Sequence, residues 1–163
     1  GLMKAIRKDT PGSLNSFDIK ERKSAAERLG EITGYLRIGG FTIGFITLIG
    51  ASIGLMNIML VSVTERTREI GVRKALGATP LRIRQQFLIE AIVITLMGGI
   101  GGILLGILIG NAISSLIGSG SYVIPWLWIF FGFVVSIIVG LLSGYLPAFK
   151  ASKLDPIESL RFE

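Results

Sequence analysis

From Ala91 to Phe149 the chain has 59 consecutive positions without Asp, Glu, Lys or Arg. That run limits the possible folds more than any other feature. A helix crosses a bilayer with about 20 apolar residues. The run is therefore long enough for two crossings and a turn. The turn is visible as Ser115, Gly118, Ser119, Gly120, Ser121 and Pro125, residues that punctuate loops. Trp126 and Trp128 follow it, as suits rings at a membrane–water interface. A second uncharged run covers the 27 positions from Ile38 to Thr64. With 50% hydrophobic residues and a mean hydropathy of +0.67, the pattern predicts an all-α membrane protein. Three transmembrane helices are expected, at about 38–63, 87–114 and 126–147. The first apolar run begins too late for a secretory signal peptide.

Charge orients these spans. Arg66, Arg68, Arg73, Lys74, Arg82 and Arg84 lie between spans one and two, and Lys150, Lys153 and Arg161 follow span three. The loop between spans two and three is uncharged. Excess Lys and Arg in short loops marks the cytoplasm, which predicts a multi-pass protein with its C-terminus inside. The first 37 residues then lie outside, although they too carry eight Lys or Arg against five acids.

Residues 1–12 read as the end of a larger unit, with a turn at Pro11 and Gly12. Residues 16–37 read as an amphipathic helix through Ala25, Ala26, Leu29, Ile32 and Leu36. It is expected to be an extracytoplasmic stalk; an interfacial helix lying on lipid is the alternative. The domain reading is 1–37 as the stalk end and 38–163 as the membrane domain.

Small residues form stripes inside the spans. Gly98, Gly102, Gly106 and Gly110 stand four apart, as do Gly132, Ser136, Gly140 and Gly144. Span one has Gly40, Gly44, Thr47, Ala51 and Gly54. Such stripes let helix backbones approach closely, and close packing drives helix association in lipid. The partner helix of each stripe, in this chain or in a second copy, is left open by the sequence.

Between two apolar runs lies the charged string VTERTREIGVRKALGAT, Val63 to Thr79. On a helix Arg66, Ile70 and Arg73 share one side with Lys74 beside them. Gly71, Val72, Ala75, Leu76 and Ala78 share the other. The first side is expected to be exposed, with Ile70 between two guanidinium groups suited to carboxylates. Glu69 stands four residues before Arg73 and is placed to hold it. Gly77 is a helix stop, Thr79 an N-cap and Pro80 a first helical residue. A second capped start is expected at Asp155-Pro156-Ile157-Glu158. The expectation is a short cytoplasmic coupling helix on which another protein docks.

Catalytic patterns fail on inspection. Gly50-Ala51-Ser52-Ile53-Gly54 matches a nucleophile elbow but sits inside span one. The chain has no His and no Cys, so the usual base and zinc ligands are missing. No Gly-Lys pair is present for a phosphate loop. Glu90 and Asn57 sit near or in the spans, where a structural role is favoured over ion transfer.

The strings NIMLVSVTERTREIGVRKALGAT, QQFLIEA and GYLPAFKASKLDPIESLRFE resemble the MacB/FtsX-like permeases of ABC transporters, over about Gly40 to Glu163. The resemblance implies a homodimer of four-span permeases in the bacterial inner membrane. A large extracytoplasmic domain follows the first span. The present chain corresponds to the last three spans and the stalk entering them. It also implies that the coupling helix, with Arg66, Glu69, Ile70, Arg73 and Lys74, docks on a cytoplasmic ABC ATPase, separate or fused. Glycines 40, 44, 54, 98, 102, 106, 110, 140 and 144 are the expected helix-packing positions. ATP and Mg²⁺ would sit on that ATPase, with no cofactor, metal or catalytic group in this chain. Lipid, and for export a periplasmic adaptor, complete the implied partners; nucleic acid is not among them. Lipoprotein release, cell-wall hydrolase activation or an uncoupled membrane anchor are the alternative outputs.

Overall fold

The computed structural model describes residues 16–118 and 120–161. The described residues form five helices and no strand: α1 (Ser16–Glu65), α2 (Thr67–Ala75), α3 (Pro80–Leu116), α4 (Trp126–Ser152) and α5 (Pro156–Arg161). The segments containing 17–65, 80–116 and 126–152 are long and apolar enough to cross a membrane. A helix satisfies its own backbone groups, which lipid cannot do. The all-helical reading with three spans therefore holds. The turn and Pro-Gly features at residues 1–12 lie outside the described residues.

The chain divides into two compact units, residues 1–47 and 48–163. In the first, the described residues are helical from Ser16 onward, and the amphipathic stretch continues into the apolar one without a break. Thr33 and Thr42 hydroxyls bond back to the carbonyls of Leu29 and Ile38, which hides a polar group on an apolar helix. Phe41 and Phe45 stack one turn apart at 6.3 Å.

In the second unit, α3 and α4 form the main antiparallel pair. The turn joining them is set by Gly118 and Gly120, both at positive φ, and by Asn111. The Asn111 side chain accepts from Val123 N at 3.1 Å and donates to Val123 O at 3.4 Å. The two helices touch through small residues. A Cβ at Gly140 would lie 2.9 Å from Ile92 Cα, and one at Gly144 would lie 2.6 Å from Ala91 Cβ. Gly132 meets Ile103, and Gly99 faces Ser136. At Gly140 and Gly144 the α3 and α4 helices approach too closely for a side chain. Gly98, Gly102, Gly106 and Gly110 are different: a Cβ at any of them would meet open space, as it would at Gly40, Gly44 and Gly54. The α3 stripe makes no close contact with α4, which α3 meets through Ala91, Thr95 and Gly99; Gly106 and Gly110 line a cavity shared with Trp128 and Ile129 of α4.

The buried core lies at the charged end of this unit. Met59 and Val63 from α1, Ile70 from α2, Ile83, Phe87 and Ala91 from α3, and Ala148 and Ala151 from α4 form one cluster. Four helices therefore meet where the cationic segment leaves the apolar spans.

Candidate functional site

The site is α2 with the ends that hold it. α1 does not give way to a loop at Val63; it continues to Glu65 and bends at Arg66. Hydrogen bonds from Arg66 N to Ser62 O and from Ile70 N to Arg66 O, each 3.0 Å, carry the helical pattern across the bend. Thr67 Oγ1 donates to the carbonyls of Val63 and Thr64 at 3.0 and 2.8 Å, covering groups that the bend exposes. α2 ends as the sequence predicts. Gly77 adopts φ +101°, a conformation that side chains disfavour. Thr79 Oγ1 accepts from Arg82 N at 3.4 Å and Pro80 opens α3. Asp155 caps α5 through Ile157 N at 3.0 Å.

The outward face of α2 differs from the one the sequence predicts. Ile70 is 2% exposed and belongs to the core, so it is not a side chain offered to a partner. Val63, Thr67, Ile70 and Lys74 follow steps of four and three, and prolong the buried stripe of α1 across the Arg66 bend. The helix therefore turns its apolar Ile70 toward α3 and α4 rather than toward solvent. Val72 is 42% and Leu76 83% exposed. On a helical wheel Arg68 and Glu69 flank them. These four residues form the free face, whereas the helical pattern alone predicts Val72 and Leu76 on the packed side. Their signal was present in the phase of the Val63-to-Lys74 stripe, which only becomes legible if α1 and α2 are treated as one helix.

The predicted cations each have a local partner. Arg66 Nη1 stands 3.5 Å from Glu90 Oε2, the single ion pair among the described residues. This contact joins the bend to α3 and gives Glu90 a structural role. Arg73 Nη1 donates to Gln86 Oε1 at 2.6 Å, so α3 rather than Glu69 holds Arg73. Lys74 Nζ donates to the carbonyls of Ser152 and Leu154, the latter at 2.5 Å. These carbonyls lie at the C-terminal end of α4, where a cation also meets the negative end of the helix dipole. Partial burial lowers the Lys74 pKa from its ordinary value, and the Asp155 carboxylate opposes that shift. Gly71 is buried against α5: a Cβ there would lie 2.6 Å from Ser159 Cβ. Phe149 is flanked by Arg84 at 5.1 Å and Lys153 at 4.4 Å from its ring centroid, a cation–π arrangement.

Ser52, the serine of the elbow-like motif, hydrogen-bonds Ser143 within the helical spans. The structure thus gives it a helix-joining role.

A family model described as FtsX-like permease C-terminal matches residues 41–156. Over 155 residues the chain is 46% identical to the uncharacterized ABC transporter permease YknZ of Bacillus subtilis, covering 95% of this chain and 39% of that protein. Over 147 residues it is 44% identical to the macrolide export ATP-binding/permease protein MacB of Mannheimia succiniciproducens, covering 90% of this chain and 23% of that protein. Over 118 residues it is 49% identical to the probable syringafactin export ATP-binding/permease protein SyfD of Pseudomonas syringae, covering 72% and 18%. The chain thus spans at most 39% of the length of these curated relatives. Three apolar spans, a capped charged helix between the first two, and a family match across all of them lead to one conclusion: the chain belongs to the FtsX-like permeases of ABC transporters, the family of MacB and YknZ.

Proposed function

We propose that the chain is the force-transmitting membrane part of a MacB-like export transporter. In this reading a cytoplasmic ABC ATPase docks on α2 and its ATP-driven motion passes through the spans to an extracytoplasmic domain. The observation that carries the proposal is the build of α2. It is stopped by Gly77, pinned from beneath by Ile70, tied to α3 through Arg66 and Arg73, and tied to the end of α4 through Lys74. A helix held this firmly still presents two large apolar side chains, Val72 and Leu76, to the outside. Exposed apolar side chains ringed by charge suit a protein interface. The inner-membrane location, a cytoplasmic C-terminus, a homodimer and an adaptor outside the membrane are part of the same proposal. The open α3 glycine stripe supports a second copy as the dimer partner.

The test is co-purification of an ABC ATPase with the full-length permease from membranes, for wild type and for Leu76→Asp. Retention by wild type and loss in the variant support the reading. Absence of any ATPase in the wild-type preparation, or equal retention by both, overturns it.

A further inference from the structure

A docking helix that only touched its own turn would pass a push no further than α1 and α3. Two contacts on the packed side of α2 lead elsewhere. Lys74 Nζ reaches over the end of α4 to bond both the Ser152 and Leu154 carbonyls, 78 and 80 residues away in sequence. One turn earlier, Gly71 lies so close to α5 that its missing Cβ would meet Ser159 Cβ at 2.6 Å and Pro156 O at 3.5 Å. Ser159 is 2% exposed, and its hydroxyl is held by Asp155 O at 2.6 Å. The Ser159 Cβ is fixed by the α5 backbone, so a side chain at Gly71 would have to displace α5 itself. Ser152 and Ala151, which precede α5, are buried as well. α5 has six residues, and a helix of that length is marginal without tertiary contact.

We propose that Gly71 and Lys74 are positioning residues that clamp α2 to the end of α4 and to α5. The three elements then move as one body, and a displacement of α2 is delivered to the third span as well as to the first two. This rests on the reading of α2 as the ATPase-docking helix, and it adds the route by which the push leaves α2. The physical reason is the two-point hold. Lys74 fixes the axial position through carbonyls that would otherwise lack a donor at a helix end. Gly71 fixes the lateral position because only hydrogen fits between the α2 backbone and the Ser159 side chain of α5. The Gly71 position lies away from Val72 and Leu76, so altering it leaves the docking face in place. α5 is the lever end, ordered by α2 and dependent on it.

Two readouts separate the clamp from the docking proposal. These 163 residues contain no cysteine; spin labels at Leu76→Cys and Ile157→Cys, in a full-length permease with any cysteine elsewhere replaced by serine, report the α2–α5 distance. The clamp predicts one narrow distance distribution, broadened by Gly71→Ala. It predicts that Ser159→Gly, which removes the clashing Cβ, narrows the Gly71→Ala distribution again. An unchanged distribution in Gly71→Ala, or a failure of Ser159→Gly to narrow it, overturns the clamp whether or not any ATPase binds. The second readout uses the permease with its ATPase. Gly71→Ala should keep the docking affinity within about twofold and lose about tenfold in permease-stimulated hydrolysis, a size typical of inter-site coupling. The Gly71→Ala/Ser159→Gly double variant should recover it. Lys74→Met should show the same split of affinity from stimulation. Equal losses of affinity and stimulation in Gly71→Ala would mean that the residue only supports the docking face, and the transmission route would be withdrawn. If the wild-type permease binds no ATPase, the docking proposal fails, and the distance measurement alone decides the clamp.

Discussion

Ser52 Oγ on α1 and Ser143 Oγ on α4 stand 2.8 Å apart, two hydroxyls facing each other within the helical spans. Ser143 also donates to Val139 O at 2.7 Å. Its one proton is therefore engaged, and Ser52 must be the donor in the pair. Ser143 is 1% exposed. This bond links the first span to the third, in a chain where α3 and α4 already hold each other through glycines. Interhelical hydrogen bonds of this type average about 0.6 kcal/mol by double-mutant cycle. Ser52→Ala, Ser143→Ala and the double variant, unfolded by denaturant in detergent, should give a coupling energy of about that size. A coupling energy of zero would show that the two hydroxyls are neighbours without being partners.

The glycines should divide into two classes. Gly144→Leu must force α3 and α4 apart, because a Cβ at that position already meets Ala91 Cβ at 2.6 Å. A loss of about 2 kcal/mol or more is expected, the range of severe overpacking. Gly102→Leu meets open space in the chain. It should leave thermal stability in detergent unchanged and weaken self-association of the full-length permease. Equal destabilisation of the monomer by both substitutions would contradict the division.

Ile70 is buried beneath α2 while Leu76, the residue that closes it, is exposed, and the two should respond in opposite ways. Ile70→Ala removes a side chain that is 2% exposed, and such core truncations cost about 2–5 kcal/mol. Leu76 is 83% exposed, so Leu76→Ala should change stability by no more than about 0.5 kcal/mol. For ATPase affinity the order reverses: a buried interface anchor is worth about 2 kcal/mol or more, roughly a thirtyfold change in Kd. Measuring both quantities on both variants checks the assignment. Wild-type affinity in Leu76→Asp would remove that residue from the interface.

The Arg66–Glu90 pair should matter little to stability. Its side chains are 46% and 34% exposed and the contact is 3.5 Å long. Pairs of that kind contribute about 1 kcal/mol or less. Glu90→Gln is therefore expected to fold normally and to leave coupled hydrolysis with its wild-type pH profile. A pH profile altered by this substitution would assign Glu90 a proton-carrying role instead.

Topology can be read by cysteine labelling. Ser121→Cys in the α3–α4 turn should react with an impermeant reagent added outside. Ile157→Cys, 69% exposed on α5, should react only after the membrane is opened. Ile157 serves better than Ser152, which is 4% exposed and would be shielded on either side. The reverse pattern of labelling would invert the proposed orientation.

The sequence by itself determined the class, the spans and the punctuation. Fifty-nine uncharged residues require a membrane, whatever their partners are. Gly77, Thr79-Pro80 and Asp155-Pro156 act on their own backbone within a turn or two, so their effect is local and was legible one residue at a time. The helix faces were decided by tertiary structure. Whether Ile70 points outward depends on the phase of α2 relative to α1, and that phase is set by the bonds from Arg66 N to Ser62 O and from Ile70 N to Arg66 O. The two glycine stripes look alike in sequence, but only that of α4 meets α3, because the contact is chosen by two helices together. Lys74 and Ser152 are 78 residues apart. Nothing local to either position marks a bond that forms only when α2, α4 and α5 are folded into one end of the molecule.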